Sequence, residues 1–374
     1  MIGAVHPTRA SPSSIRLLAG PGARERIRRE GLQASQVSAV AAAAGGPKGL
    51  ALLPLDEWLF QDWLAAAPRR RLLAGASIGA WRMAAAVHPD GIVATRRLGE
   101  AYLELQRYSA RPDTAEVARV CRAVAAAMLG TPRPQPDADK PSVASQAHHL
   151  AIVTARARGP LMGRTDRWGF AACAWDNLRG RHRLGRHLQR VVFGPPEVAS
   201  APVFMGLQDG FDTLHIPLTT DNLEDALLAS GSIPLVCEPV LTPRGAPAGL
   251  YWDGGLIDYH LHLPWSAQDG LVLIPHFTPW LTPGWLDKGL PWRRRGPGAL
   301  RHWLDNVLLI APSQALLTRL PDGKLPDRQD FARYGVRHDA RILAWRRAMS
   351  ECQRMAEDLL DFIRRPDPDR LEPL

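Results

Sequence analysis

The sequence predicts an α/β protein in which a mostly parallel central sheet is flanked by helices and followed by a helical C-terminal extension. Two successive segments support the sheet, because each contains an apolar strand, a glycine-rich turn and a helical pattern in that order. The tail supports the extension, since apolar residues recur every three or four positions across residues 340–363. We expect the apolar face of that tail to pack in the core.

The two segments lie near the N-terminus. The first has an apolar strand at 37–44, the loop GGPKG at 45–49 and a helical pattern after it. The second has a strand at 71–74, the turn GASIG at 75–79 and a helix of small residues up to Val87. Strand, turn and helix in repeated order are typical of parallel strands joined by crossover helices.

Further elements follow along the chain. A helical region starts near 102 and runs into a proline-rich linker at 131–141. The remaining predicted elements are a helix at 222–229 and strands at 150–155, 213–218, 250–252 and 271–274. The composition changes at 277 to Trp, Pro and Arg, so we expect a main domain over 1–276 and an extension over 277–374.

The bulk composition is that of a globular protein of 374 residues, with 46% hydrophobic and 22% charged residues. Its net charge of +9 comes largely from arginine clusters at 69–71, 179–190 and 293–295. Such clusters either contact an anionic partner or are solvated surface. No nucleic-acid recognition motif accompanies them, so we expect no nucleic-acid partner.

The four cysteines are far apart and form no CxxC pair, which argues against a zinc site or a redox pair and favours a reducing compartment. We expect no cofactor and no metal. The first 14 residues contain no apolar signal region, and no window holds 18 uninterrupted apolar residues. The sequence therefore predicts a cytoplasmic protein that at most attaches to a membrane surface.

Ser77 is the candidate nucleophile. It is the central residue of a G-x-S-x-G pattern, which places a serine on a tight strand-to-helix turn with its hydroxyl projecting. The flanking Gly75 and Gly79 avoid side-chain clashes in that turn. The helix that follows directs its positive end at the developing oxyanion.

The glycine loop is the candidate oxyanion hole, because backbone N–H groups of glycines can approach a substrate oxygen closely. Its candidate donors are Gly45, Gly46, Lys48 and Gly49, and the fifth residue of the loop is Pro47. A Walker A phosphate loop would need Ser or Thr after the lysine, whereas Gly49 follows Lys48 here. A glycine turn without any ligand is the plain alternative.

Asp253 is the third element. It follows the strand at 250–252 and precedes Gly254 and Gly255, which have no side chains to obstruct it, so its carboxylate can lie at the edge of a sheet. Asp-Gly is also common turn chemistry, and the motif gains weight only from its place after the other two.

The order of glycine loop, G-x-S-x-G and Asp-Gly-Gly resembles the patatin-like phospholipase family. The segment ALLASGSIP at 226–234 is similar to the family's stretch ahead of the aspartate, and the likeness covers about 37–264. The resemblance implies a three-layer α/β fold and a Ser–Asp dyad without histidine. It makes Ser77 the nucleophile, Asp253 the base and the loop at 45–49 the oxyanion-hole region.

The chain departs from the family pattern in the loop. Ala43 and Ala44 stand where the family often has an aspartate and a further glycine, Lys48 stands where arginine is common, and Pro47 has no N–H to donate. A Ser–His–Asp triad remains an alternative, because His260, His262 and His276 follow Asp253.

The resemblance implies hydrolysis of acyl esters in lipid degradation, with phospholipids or related lipids as substrates. The alternatives are a soluble carboxylesterase or polyester depolymerase with the same dyad, and a non-catalytic membrane-surface protein. The sequence indicates no protein partner. Four tryptophans lie around the arginines at 293–295, and we expect them either to pack in the core or to form a flap that contacts anionic membranes. They are Trp280, Trp285, Trp292 and Trp303.

Overall fold

A computed structural model describes residues 12–130, 148–294 and 302–374. Within these ranges eleven strands form one sheet. The strands are β1 (Ile15–Ala19), β2 (Val37–Ala42), β3 (Arg71–Ala76), β4 (His148–Ala157), β5 (Leu188–Gly194), β6 (Thr213–Pro217), β7 (Val240–Leu241), β8 (Leu250–Asp253), β9 (Leu271–Pro275), β10 (Val307–Pro312) and β11 (Leu371–Pro373).

Twelve α-helices lie in the same described ranges, and short 3₁₀ segments join several elements. The helices are α1 (Pro21–Glu30), α2 (Leu53–Trp58), α3 (Ile78–Val87), α4 (Gly91–Glu104), α5 (Thr114–Leu129), α6 (Arg167–Arg179), α7 (Pro196–Ala199), α8 (Thr220–Gly231), α9 (Gln314–Leu317), α10 (Gln329–Tyr334), α11 (His338–Cys352) and α12 (Arg354–Arg364).

The sheet is mixed, with the order β11-β1-β10-β9-β2-β3-β4-β5-β6. Its centre, from β10 through β9, β2 and β3 to β4, is parallel. The short β8 pairs antiparallel with β4, with Asp253 opposite Thr154. Parallel β3 and antiparallel β8 therefore both border β4, and this places the end of β3 near the end of β8.

Both faces of the central strands are buried, as expected for a parallel sheet covered on two sides. In β2, Val37, Val40 and Ala42 face one core, while Ala39 and Ala41 face another. Helices α2, α3, α11 and α12 pack on the first face. The second face is covered mainly by loop segments, including Phe204 and Trp265.

The predicted fold class is confirmed: the protein is α/β with a mostly parallel mixed sheet and a helical C-terminal segment. Strands β10 and β11, from the extension at 277–374, pair in the same sheet as the strands of 1–276. The tail differs from the single predicted helix, since it is two helices, α11 and α12, separated at Gln353. Its apolar face packs in the core as expected. The predicted linker at 131–141 lies outside the described residues.

The arginine clusters contain structural members as well as surface ones. Arg71 is buried and donates hydrogen bonds to the carbonyl oxygens of Val37 and Ala34. Arg190, inside β5, forms a buried ion pair with Asp258, with Nε 2.6 Å from the carboxylate. The net charge therefore overstates the positive surface. None of the helices in the described ranges has the length and apolar character that crossing a bilayer requires.

Candidate active site

Ser77 is the single residue between β3 and α3. Its backbone has φ 55° and ψ −133°, a region that non-glycine residues rarely occupy. Such a conformation costs about 1–3 kcal/mol and persists only where the surrounding structure enforces it. Here the enforcing elements are a buried strand on one side and a helix that begins at the next residue on the other.

The glycines of the turn are required by close packing. A Cβ on Gly75 would lie 2.4 Å from the backbone nitrogen of Ala80, and one on Gly79 would lie 2.0 Å from the carbonyl oxygen of Ala42. Neither contact is possible for a larger residue. The two glycines thus let α3 start directly against β2 and β3, and this holds Ser77 at the edge of the sheet.

A second serine fixes the turn from across the fold. Ser230, near the end of α8, accepts a hydrogen bond from the Ser77 N–H at 2.8 Å and donates one to the carbonyl oxygen of Val153 at 2.7 Å. Both groups are buried. The bridge connects the turn, α8 and β4, so the position of Ser77 depends on three separate elements.

Asp253 ends β8 and is also buried. Its N–H donates to the carbonyl oxygen of Ser232 at 2.8 Å, and its carboxylate accepts from the Gly255 N–H at 2.7 Å. A Cβ on Gly254 would lie 2.1 Å from the carbonyl oxygen of Val153, so the Gly254 position tolerates no side chain. Ser77 and Asp253 line one small cavity of about 10 Å³ together with Gly45 and Gly255.

Burial raises the pKa of Asp253 from its ordinary 3.8 to about 6. Three smaller influences lower that pKa: the Ser77 hydroxyl, the Gly255 N–H and the positive charge of Arg328. The carboxylate is therefore ionised at neutral pH but is a stronger base than a solvated aspartate. This lessens the mismatch in pKa between an aspartate and a serine hydroxyl, and the oxyanion hole has to stabilise the rest of the developing charge.

The glycine loop lies beside Ser77. Gly46 has φ 58° and starts a 3₁₀ segment, Gly46–Leu52, whose first N–H groups have no acceptor inside the segment. Gly45 lines the small cavity, while Gly46 and Pro47 line a larger one that also includes Ser77. Of the four predicted oxyanion residues, Gly45 and Gly46 thus border the two cavities.

The other two predicted oxyanion residues are placed differently. A Cβ on Gly49 would lie 2.6 Å from the Ile78 side chain, so this glycine allows the loop to pack on α3. The Lys48 ammonium lies over the ring of Phe277, 5.2 Å from its centroid. Neither Gly49 nor Lys48 is among the described residues that line the two cavities.

The larger cavity has a volume of about 320 Å³, and Ser77 is one of its lining residues. Its walls are mostly apolar and come from α3, α4, α5 and the segment after α8, with Trp81, Val120, Val124 and Ile233 among them. The volume is at the lower end of the range of about 300–1,000 Å³ that is typical of small-molecule sites. It can hold an extended apolar group whose reactive end meets the serine.

The three histidines considered for a triad are buried against aromatic rings. His260 packs on Tyr259, His276 on Phe277, and His262 on Trp303. Burial lowers the pKa of His262 to about 4 and that of His276 to about 3, and it holds the pKa of His260 well below 6.5. Among the described residues, no histidine lines either cavity.

Chemically, a hydroxyl beside an ionised, buried carboxylate can lose its proton to that carboxylate while it attacks an acyl carbon. Free backbone N–H groups at the start of the 3₁₀ segment and of α3 can stabilise the negative oxygen that results. The structure brings together Ser77, Asp253, Gly45 and Gly46, with Gly75, Gly79, Gly254 and Gly255 in supporting positions.

Comparison with models of protein families, with curated proteins and with solved structures found no match.

Sequence reasoning missed two residues of the site. Ser230 belongs to the segment 226–234, but nothing in that segment indicates a hydrogen bond to Ser77. Arg328 lines both cavities, although it lies 251 positions after Ser77 in a region without a recognisable motif. Only the three-dimensional packing of α10 brings it to the serine.

Proposed function

We propose that the protein is a serine acyl hydrolase that cleaves acyl ester bonds of phospholipids or related lipids. The observation that carries the proposal is the placement of Ser77: it is on a strained turn, beside the buried Asp253, and it lines a mostly apolar cavity. The resemblance of the three ordered motifs to patatin-like phospholipases supports the same reaction class.

In the first half of the proposed reaction, the Ser77 oxygen attacks the ester carbon and its proton passes to Asp253. Backbone N–H groups near Gly46 and Ile78 stabilise the tetrahedral oxyanion. When the bond to the leaving alcohol breaks, Asp253 returns the proton to that alcohol and the acyl group stays on Ser77. In the second half, water attacks the acyl carbon, Asp253 takes its proton, and the acid leaves as Ser77 is protonated again.

The cavity supports an acyl chain as the group that is bound. Each methylene that moves from water into an apolar site contributes about 0.8 kcal/mol. The larger cavity offers walls such as Val120 and Ile233 for that purpose and few polar groups. Short acyl groups would leave most of it empty.

The test is labelling with a fluorophosphonate probe and mapping of the modified residue, together with turnover of p-nitrophenyl esters of graded chain length. We expect the label on Ser77, its loss in Ser77→Ala, and turnover that increases with chain length. Ser38→Ala, a change at a half-buried serine in β2, is the matched control. Label at another serine would contradict the proposal, and a preference for acetate would favour the carboxylesterase or depolymerase.

We further propose that the outer face of α6 is the surface through which the protein contacts anionic membranes. Trp168, Trp175 and Leu178 on this face are more than half exposed. The guanidinium groups of Arg167 and Arg179 lie over the two tryptophan rings, at 5.2 and 4.9 Å from their centroids. Aromatic rings next to arginines suit the boundary between lipid and water.

The position of α6 links this face to the site. Its inner residues Phe170 and Cys173 belong to an apolar cluster that contacts Trp285, and Trp285 lines the small cavity with Ser77. In the flap suggested by the sequence, Trp292 is 70% exposed, and Arg295 lies outside the described residues. Arg293 forms an ion pair with the buried Asp287, 2.8 Å apart, and so it anchors the segment.

Co-sedimentation with vesicles that contain anionic lipid, at low and high salt, tests the membrane contact. We expect Trp168→Ser with Trp175→Ser to bind less than the wild type, and high salt to weaken wild-type binding. Leu343→Ser, at a side chain 71% exposed on α11, is the control. Equal binding by the double variant and the wild type would exclude α6 as the docking face.

A further inference from the structure

One cationic side chain, Arg328, lines the two cavities at Ser77, and two others, Lys48 and Lys288, lie farther out against neighbouring aromatic rings. Arg328 lines both cavities, and a Cβ on Gly46 would lie 3.3 Å from its Nε. Lys48 extends from the glycine loop to the ring of Phe277. The ammonium of Lys288 lies 5.4 Å from the centroid of the Tyr259 ring, and Tyr259 lines the small cavity.

None of these three cations has a carboxylate within ion-pair distance among the residues that the structure describes. Two acids act on these cations from a longer distance. Asp327 raises the pKa of Lys48 but pairs with Lys324 at 3.1 Å, and Asp253 has its own pKa lowered by the charge of Arg328. Elsewhere in the described chain, buried arginines such as Arg82 and Arg190 have acidic partners. Arg71 and Arg341 are also buried without an ion pair in the described chain and donate to carbonyl oxygens instead, but neither of them lines the two cavities.

The arrangement is costly for the free protein. Burial lowers the pKa of Lys48, and burial together with the charges of Lys48 and Arg328 lowers the pKa of Lys288. Lys48 and Arg328 are half-buried, whereas Lys288 is exposed. Cations that repel one another are a feature of sites that bind anions, because the ligand supplies the missing charge. Because Arg328 lines both cavities together with Ser77, an anion bound to Arg328 would lie next to the nucleophile.

We propose that Arg328, assisted by Lys48 and Lys288, binds a phosphate group that the substrate carries close to its scissile ester. The guanidinium group of arginine matches two phosphate oxygens with two parallel N–H donors. Several positive charges suit a phosphate monoester, which carries up to two negative charges, better than a carboxylate, which carries one; a phosphodiester also carries only one, and for it the bidentate geometry of Arg328 is the argument. Arg328 is then a specificity residue that positions the ester at Ser77 while the apolar cavity holds the acyl chain.

This inference rests on the proposed function for the identity of the reaction, but its test does not need turnover. Isothermal titration would measure the binding of decyl phosphate, decanoate and decyl glucoside below the concentrations at which they form micelles. The proteins are the wild type, Arg328→Gln and Arg328→Lys. Arg319→Gln, at an exposed arginine, is the control because it changes the net charge equally.

We expect the wild type to bind decyl phosphate most tightly. Arg328→Gln should weaken that binding about tenfold or more and leave decyl glucoside nearly unchanged, since a charge-assisted hydrogen bond contributes more than a neutral one. Arg328→Lys should recover part of the affinity, and Arg319→Gln should match the wild type. Higher salt should weaken decyl phosphate binding in the wild type more than in Arg328→Gln.

Two results would overturn the inference. An equal loss of affinity for all three ligands in Arg328→Gln would show that the arginine only maintains the cavity. Tighter binding of decanoate than of decyl phosphate would exclude a phosphate site. If the wild type binds decyl phosphate as expected but hydrolyses no ester, the hydrolase proposal fails and the anion site stands.

Discussion

Replacement of Asp253 by Asn should stabilise the protein at neutral pH, although it removes the proposed base. The carboxylate is buried, and burial raises its pKa from 3.8 to about 6. One pKa unit corresponds to about 1.4 kcal/mol, so ionising this group in the folded protein costs about 3 kcal/mol relative to the unfolded chain. An amide carries no charge and avoids that cost.

The sign of the pH dependence follows from the order of the two pKa values. Below about pH 4, Asp253 is protonated in both states and contributes no penalty. Between pH 4 and 6 the unfolded state loses the proton first, so the wild type loses stability as the pH rises through this window. Above about pH 6 both states are ionised and the penalty is constant.

The expected measurement is a difference between two urea-unfolding series. From pH 4.5 to pH 7, the stability of Asp253→Asn relative to the wild type should increase by about 2 kcal/mol. The amide oxygen can still accept from the Gly255 N–H, and any fixed cost of placing the amide NH₂ is the same at every pH. The increase with pH therefore reports the carboxylate itself.

Asp56→Asn provides the contrast. Asp56 is equally buried, and burial raises its pKa as well, but its carboxylate pairs with Arg82, with 2.6 Å between Nε and the carboxylate. Its replacement leaves a buried charge without a partner and should destabilise the protein by about 3–5 kcal/mol. A stability difference for Asp253→Asn that is flat or decreases between pH 4.5 and 7 would refute the raised pKa, and with it the account of Asp253 as a strong base.

Three further outcomes are expected. For a neutral ester, kcat/KM should fall about tenfold per pH unit below pH 6, because only ionised Asp253 accepts the proton; a profile that is flat down to pH 5 would exclude it as the base. Ser77→Gly should be about 1 kcal/mol more stable to urea than Ser77→Ala, since glycine adopts φ 55° without strain, and equal stabilities would show that the turn is relaxed. In the wild type, kcat/KM should rise about fourfold per added methylene until the cavity is full. Val120→Trp should move that limit to shorter chains, whereas Val93→Trp on the exposed side of α4 should not, and an unchanged limit would place the chain elsewhere.

The elements that carry Ser77 and Asp253 could be predicted because their signals are local. An apolar run, a glycine that admits no Cβ and a helix determine the turn at Ser77 within a dozen residues. Asp253 could be predicted in the same way, since Gly254 and Gly255 mark the point where β8 ends. In both cases the sequence contains the packing constraint that produces the geometry.

The parts that could not be predicted depend on distant partners. Arg190 is part of a cationic run in the sequence, but it is buried in β5 because Asp258, 68 positions later, neutralises it. The division of the tail at Gln353 has no proline or glycine to announce it. Arg328 is the extreme case, since its role depends on which cavity α10 happens to border.

The position of Arg328 also connects substrate binding to the strength of the base. Its positive charge lowers the pKa of Asp253 in the free protein. A phosphate group bound to Arg328 would cancel that influence and add a negative charge nearby, so the pKa of Asp253 should rise when such a substrate binds. The pH profile of kcat gives the pKa of Asp253 in the substrate-bound enzyme, and the pH profile of kcat/KM gives the pKa of Asp253 in the free enzyme. For a phosphate-bearing ester the pKa from kcat should therefore exceed the pKa from kcat/KM. For a neutral ester of the same acyl chain the two pKa values should agree. Agreement for both esters would mean that the anion, if bound, lies too far from Asp253 to influence it.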